Sequence, residues 1–493
     1  MICRELRVFA ILFVVNAAEW FSAVPAGISS PTAHAQTLIS PARAEAAMAK
    51  AADFFTTKIA VHGGYVYYTS LDSPLRLGEG IATKDQIWVQ APGTPTVGMA
   101  FLAAYKATGD ARYLQAARDA ADALIYGQLQ SGGWTASIDF DPKGKGTALY
   151  RIGKGRGKNN SSLDDGITQQ TLRFLIQLDV IEQGRNGSVR EAVKLGLQAL
   201  FAAQFPNGGF PQVWSGPSLS RPIVAAKYPD YDWRTENRVK EYWNHYTLND
   251  GLAGTVAELL VEASEVYPTV PQCKEALLKL GDFLRLSQMP DPQPAWAQQY
   301  DAQMRPAWAR KFEPPSIAGQ ESQDAIATLL LIYEVTGDEK YLAPVERAIK
   351  YLQASLLSDG QLARFYELQT NRPLYMTSQY KLTYDDTDLP SHYGWKSRSK
   401  LESLHQRFIQ AKSGQRQRAR SKQVLTTQLE KAASSVVREL DSEGRWVSEF
   451  KGERLTGQPE MKPGEKFISS ERFAKSITVL ADYLTAASSP PSD

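Results

Sequence analysis

Cysteine is nearly missing from this chain. Only Cys3 and Cys273 occur in 493 residues, so no disulfide framework carries the fold and stability has to come from burying an apolar core. Histidine is almost as scarce, with five copies, and no two His or Cys residues stand at metal-ligand spacing. There is no G-x-S-x-G elbow and no strand-borne Walker loop. Gly153-Lys154-Gly155-Arg156-Gly157 lacks the GK[ST] ending and reads as a flexible cationic loop. A surplus of charge is also lacking. The formal net charge is +2, so no whole-molecule field draws in polyanions, and an acidic ligand has to be held by local cations. Past the first residues no apolar run is long enough to cross a membrane.

The first residues carry an address. Arg4 and Arg7 precede an apolar run from Val8 to Val15, and Ala33-His34-Ala35 gives the small-x-small pattern of signal cleavage. Residues 1–35 are therefore expected to be a signal peptide, with the mature chain starting near Gln36 and working in a secreted or periplasmic setting. With 43% hydrophobic residues the rest has ample material for a large core.

That material is arranged as a repeat. Helical spacing of apolar residues over Val97–Ala107 and Ala111–Tyr126 is interrupted by Thr108-Gly109-Asp110. The same turn returns as Thr336-Gly337-Asp338, followed by Lys340-Tyr341-Leu342 where the first copy has Arg112-Tyr113-Leu114. Glycine and aromatic turns punctuate the chain at Gly63-Gly64-Tyr65, Gly132-Gly133-Trp134 and Gly208-Gly209-Phe210. Weaker forms stand at Asp359-Gly360, Gly444-Arg445-Trp446 and Pro294-Ala295-Trp296. With strand signals scarce outside these turns, the expected fold is all-α: an α/α toroid of helical hairpins over residues 36–486, with residues 487–493 as a disordered tail. Long segments at Ile138–Asp165, Val213–Asp250, Met289–Gly319 and Arg364–Trp395 are expected to build a cleft at one end. The basic run from Lys396 to Lys422 reads as a solvated helix face, since it lacks the aromatics that nucleic-acid binding would use.

Chemistry concentrates in those loops. Asp164-Asp165-Gly166 and Asn249-Asp250-Gly251 each stand at a helix start, where the simple role is capping. The sharper reading is a hard-cation site on neighbouring hairpins, because calcium prefers carboxylate oxygens. Arg310 can pair with Glu313 to shape its loop. Arg364 and Arg372, set among aromatics, suit an acidic sugar whose carboxylates a guanidinium grips in two places.

Five segments carry a family resemblance. Gly208 to Gln212 (GGFPQ) resembles the GGWPQ of family 10 pectate lyases, and Leu163 to Thr168 (LDDGIT) is similar to their IDNGAT. Tyr246 to Asp250 (YTLND) is similar to ITFND. Ala309 to Glu313, with Ser316 to Ser322, resembles ARxYE…SxSGxES, and Arg364 to Pro373 (RFYELQTNRP) resembles RFYEIGTNRP. The resemblance runs from about Gly132 to Trp395, with a weaker echo at Phe467 to Leu484. It implies an α/α-barrel lyase that cleaves polygalacturonate by β-elimination with calcium (Ca2+) and an arginine base, and the matching base is Arg310. By the resemblance Asp164 and Asp250 would lie on the calcium and the substrate carboxylate, and Arg364 and Arg372 would hold neighbouring uronates; Asp165 is expected to join the metal, and Lys154 and Asn249 the substrate. The expected partner is an acidic polysaccharide, bound by a monomer without nucleic acid or stable membrane association. This chain departs at Phe210, Asp165 and Leu248, where the family has tryptophan, asparagine and phenylalanine. Its segment from Trp214 to Trp243 is long.

Other readings remain open at this stage. A uronic-acid-polymer glycoside hydrolase could use Asp164 with Asp250 as acid and base, and a non-catalytic polysaccharide-binding protein would need no base. Gln128 to Trp134 also resembles the glutamine and tryptophan repeat of terpenoid cyclases, whose D-x-D-D proton donor is missing here.

Overall fold

The structure, a computed structural model, describes residues 39–235, 240–414, 422–457 and 460–488. The expected signal peptide and residues 489–493 of the expected tail lie outside the described residues, as do residues 415–421 of the basic run. Ala487, read as the start of that tail, closes a helix.

Twelve α-helices form the framework of the described chain: α1 Pro41–Phe54, α2 Thr94–Thr108, α3 Ala111–Tyr126, α4 Ile167–Ile181, α5 Gly187–Ala203, α6 Leu252–Val266, α7 Gln272–Ser287, α8 Gly319–Thr336, α9 Ala343–Ala354, α10 Leu401–Lys412, α11 Lys422–Glu439 and α12 Ser470–Ala487. They pair as antiparallel hairpins, and the division into two layers follows from composition. Helices α2 and α6 bury residues around most of their circumference, whereas α3 and α9 bury a single stripe. A helix apolar all round has to be covered on every side, so it goes inside. Accordingly α2, α4, α6, α8 and α10 are neighbours in that order, with α3, α5, α7 and α9 packed outside them. Helix α12 docks on α2 and carries α1 and α11 on its other side, which joins the two ends of the chain. The all-α toroid expected from the repeat is the fold.

The repeated turns work as expected. Gly109 and Gly337 take φ of 72° and 70°, where glycine ends a helix without Cβ strain. Asp110 and Asp338 then accept from the amides of Arg112 and Lys340 at 2.9 and 3.1 Å. The aromatics at the hairpin ends are buried. Trp134, Trp296 and Trp446 each donate the indole N–H to a carbonyl in the last turn of the preceding helix, at 2.7, 2.8 and 2.9 Å, so Pro294-Ala295-Trp296 is a full member of the series. A glutamine repeats with them: Gln128, Gln204 and Gln288 each donate one amide to a carbonyl of their own turn and one of a neighbouring hairpin.

The long loops contain more strand than the sequence pattern suggests. Ser161–Ser162 pairs with Val213–Trp214, Tyr246–Thr247 with Gln299–Tyr300, and Ile317–Ala318 joins a sheet with Phe365–Tyr366, Pro373–Met376 and Leu382–Thr383. Strands of two to four residues are too short to show alternation. They pin the loops where α4, α6 and α8 begin, and that is where the site forms. Described members of the basic run form ion pairs, with Lys400 to Asp324, Arg407 to Glu334 and Lys412 to Glu346.

Candidate active site

Two equivalent turns open α4 and α6. The amides of Leu163 and Leu248 donate to the carbonyls of Gln212 and Gln298, each at 2.9 Å. Asp165 (φ 45°) and Asp250 (φ 53°) follow in the left-handed region, and Gly166 and Gly251 keep that hand for a second residue. Aspartate tolerates this conformation better than most residues, and such strain persists where the surroundings impose it. The helix starts carry no side-chain cap, so the simple capping role is not what these acids perform.

Instead they converge. Carboxylate oxygens of Asp164, Asp165 and Asp250 lie within 4.8 Å of one another. Each carboxylate is held by a primary amide: Gln212 donates to Asp164 at 2.7 Å, Gln90 to Asp165 at 2.5 Å, and Asn249 to Asp250. An amide orients a carboxylate and leaves its charge in place, and no ion pair reaches these three acids among the described residues. Desolvation first, then repulsion from Asp165, Asp164 and Glu321, push Asp250 up to about 8. Asp164 and Asp165 are also raised, again by desolvation first. Asp165 and Asp250 are exposed to solvent, which weakens both the desolvation and the repulsion behind these shifts.

The arginines face this cluster from the α8 side. Arg310 donates Nε to Glu313 Oε2 at 2.8 Å and Nη2 to Oε1, and its own amide reaches the same carboxylate at 3.1 Å. The pairing with Glu313 foreseen from the sequence is therefore present. It does not turn the guanidinium away, because the charge of Arg310 acts on Asp164 and Asp165 and that of Asp250 acts on Arg310. Burial pulls the Arg310 pKa down, but its hydrogen bonds to Glu313 and the charges of Glu313, Tyr393 and Asp250 together outweigh that and raise it. Arg364 donates to buried Glu321 at 2.8 Å and approaches Asn249 at 3.4 Å, with Nε unpartnered. Tyr393 lies between the two arginines, its ring centre 5.7 Å from the guanidinium of Arg310 and 5.0 Å from that of Arg364, and its hydroxyl donates to Glu313 at 3.1 Å.

The remaining candidates stand apart. Arg372 is exposed and lies 3.4 Å over the ring of Tyr384, beside the ion pair of Arg234 with Glu367. Lys154 is exposed, its main chain hydrogen-bonded to the Tyr126 hydroxyl, and no described contact ties it to the aspartates. Glu79, Gln90, Glu321 and Tyr393 were missed. Gln90 and Glu79 precede the region of family resemblance and carry no local pattern. Glu321 and Tyr393 lie inside that region without chemistry that marks them out.

A ring of helical hairpins with acids and guanidinium groups gathered where the inner helices start defines the class: an α/α toroid with a charged site at the loop end. Residues 128–332 match the family model described as pectic acid lyase. No curated protein matches the chain. Solved structures similar to it include a mutant family 10 polysaccharide lyase from Cellvibrio cellulosa in complex with trigalacturonic acid, at 20% identity and a TM-score of 0.45 over 60% of this chain and 91% of that one. The cellobiose 2-epimerase from Spirochaeta thermophila is similar at 13% identity and a TM-score of 0.44 over 91% of this chain and 98% of that one.

Proposed function

We propose that this protein cleaves polygalacturonate by β-elimination, with Arg310 taking the proton from C5 of the sugar and calcium held by Asp164, Asp165 and Asp250. The observation that carries the reading is the meeting of Arg310 with three aspartates that form no ion pair, within the segment that matches pectic acid lyase. Three oxygen-donor carboxylates, amide-oriented and mutually repelling, suit a divalent hard cation. When bound, such an ion neutralises charge on the sugar carboxylate and so acidifies C5.

The rest falls to the protein. Arg364, with an unpartnered buried Nε, and Asn249 hold the uronate at the reacting position, and exposed Arg372 and Lys154 hold units further along. Arg310 removes the C5 proton, the electron pair forms the C4–C5 double bond, the C4–O bond breaks, and the leaving oxygen takes a proton from water. Arg310 has to be neutral to accept that proton, and its bond to Glu313 opposes this, so activity is expected to rise into the alkaline range. Export follows from the leader sequence, since the polymer lies outside cells. The protein is read as acting as a monomer.

The test is ultraviolet absorbance of the unsaturated product from polygalacturonate, with and without a chelator, for the native protein and for Arg310→Ala. Absorbance that needs calcium and is lost in Arg310→Ala with polymer binding retained is the expected result. Chain cleavage without absorbance would mean hydrolysis with Asp250 as the acid, and binding without cleavage would leave a carbohydrate-binding protein.

A further inference from the structure

We infer that Tyr393 is a positioning residue that serves both arginines of the site by separate means: its hydroxyl steadies Glu313, the partner of Arg310, and its ring fixes the guanidinium of Arg364. The inference rests on the proposed function and adds a residue to the same site.

Tyr393 lies beyond the segment matched by the family model. Three rings hold its own: Phe365 stacks on it with centres 6.2 Å apart, and Trp395 and Phe312 approach at 5.3 and 4.8 Å. Phe365 and Trp395 are buried and Phe312 nearly so, which packs the Tyr393 ring in place. From there its centre is 5.0 Å from the guanidinium carbon of Arg364 and 5.7 Å from that of Arg310. Arg364 needs such a contact. Its bonds to Glu321 and Asn249 both run through Nη2, while Nε has no partner among the described residues. Bonds through one nitrogen leave the guanidinium plane free to turn about it, and the ring supplies the second constraint.

The hydroxyl reaches the other arginine at one remove. It donates to Glu313 Oε1 at 3.1 Å and lies 3.4 Å from Gln298 Oε1. That same oxygen of Glu313 accepts from Arg310 Nη2, so the carboxylate that orients Arg310 is itself oriented by Tyr393. Burial first, and then the charge of Glu313, hold the Tyr393 hydroxyl well above the usual tyrosine range, so it still donates at the alkaline pH proposed for turnover. A phenylalanine would keep the ring and lose this bond. A leucine would lose both.

The experiment uses the full protein with calcium present and measures kcat and KM on polygalacturonate by product absorbance, for the native protein, Tyr393→Phe and Tyr393→Leu. Tyr393→Phe is expected to lower kcat about 10-fold, the usual worth of a hydrogen bond to a charged group, with KM unchanged. Tyr393→Leu should lower kcat at least as far and also raise KM about 5-fold, as Arg364 loses its platform. In an Arg364→Ala background the KM difference between the two variants should vanish, because the ring then has no guanidinium to hold. A native kcat in Tyr393→Phe, or a KM difference that persists without Arg364, would overturn the inference and leave the lyase reading standing. Tyr393→Phe keeps the packing and decides the hydroxyl's part even where Tyr393→Leu does not fold. No absorbance from the native protein would overturn both.

Discussion

Arg310 is tied to Glu313 through two guanidinium nitrogens and its own amide, which keeps it oriented and protonated. If it is also the base, removing that negative partner should make it easier to deprotonate. Glu313→Gln is therefore expected to move the alkaline rise of the rate profile about 1–2 units toward lower pH, and an unmoved limb would take the proton-accepting role from Arg310. His245 makes a separate statement about pH. Burial first, and then the charge of Arg221, hold it down to about 4, below the roughly 6.5 of an unfolded histidine. The unfolded chain binds the proton more readily, so this contribution is complete above about pH 6.5 and disappears as pH falls toward about 4, a change of about 3 kcal/mol. Urea titrations across that window should show a shallower loss in His245→Gln. The aspartates and arginines of the site were legible because their residue types and neighbours carry the chemistry. Gln90 was not, because its importance arises only when a distant turn brings Asp165 to it.

The hairpin turns are the units on which the architecture repeats. At Gly208 the backbone has φ of 93°, and an added Cβ would sit 1.9 Å from the carbonyl oxygen of Lys279 in α7. That close approach sets how tightly one hairpin docks on the next. Gly208→Ala is expected to cost about 2–4 kcal/mol, from strain and a backbone clash together, and thermal melting measures it. Gly109→Ala, with the same hand of backbone but open space around its Cβ, should cost only about 1 kcal/mol. Paired glycines and aromatics made these turns readable in advance. The two-residue strands were not, because their pairing is decided by the loops that lie opposite and leaves no alternation within either segment.

Across the whole molecule, the hairpin repeat could be read from the sequence, but neither the number of hairpins nor their closure could. Nothing local in Ser470–Ala487 says that it lies against α2, nor does α1 announce that it will cover α12. Buried Tyr483 fastens the two ends, donating its hydroxyl to the Ile39 carbonyl at 2.6 Å. A chain ending before Ser470 is expected to lose cooperative melting and to bind hydrophobic dyes, since α2 and α1 would lose their shared neighbour. During synthesis the ribosome delivers that neighbour after all the other described helices. Every earlier hairpin must therefore wait, stacked but unsealed, and a translation stop just before Ser470 would leave a product with all its other hairpins exposed to proteases and chaperones.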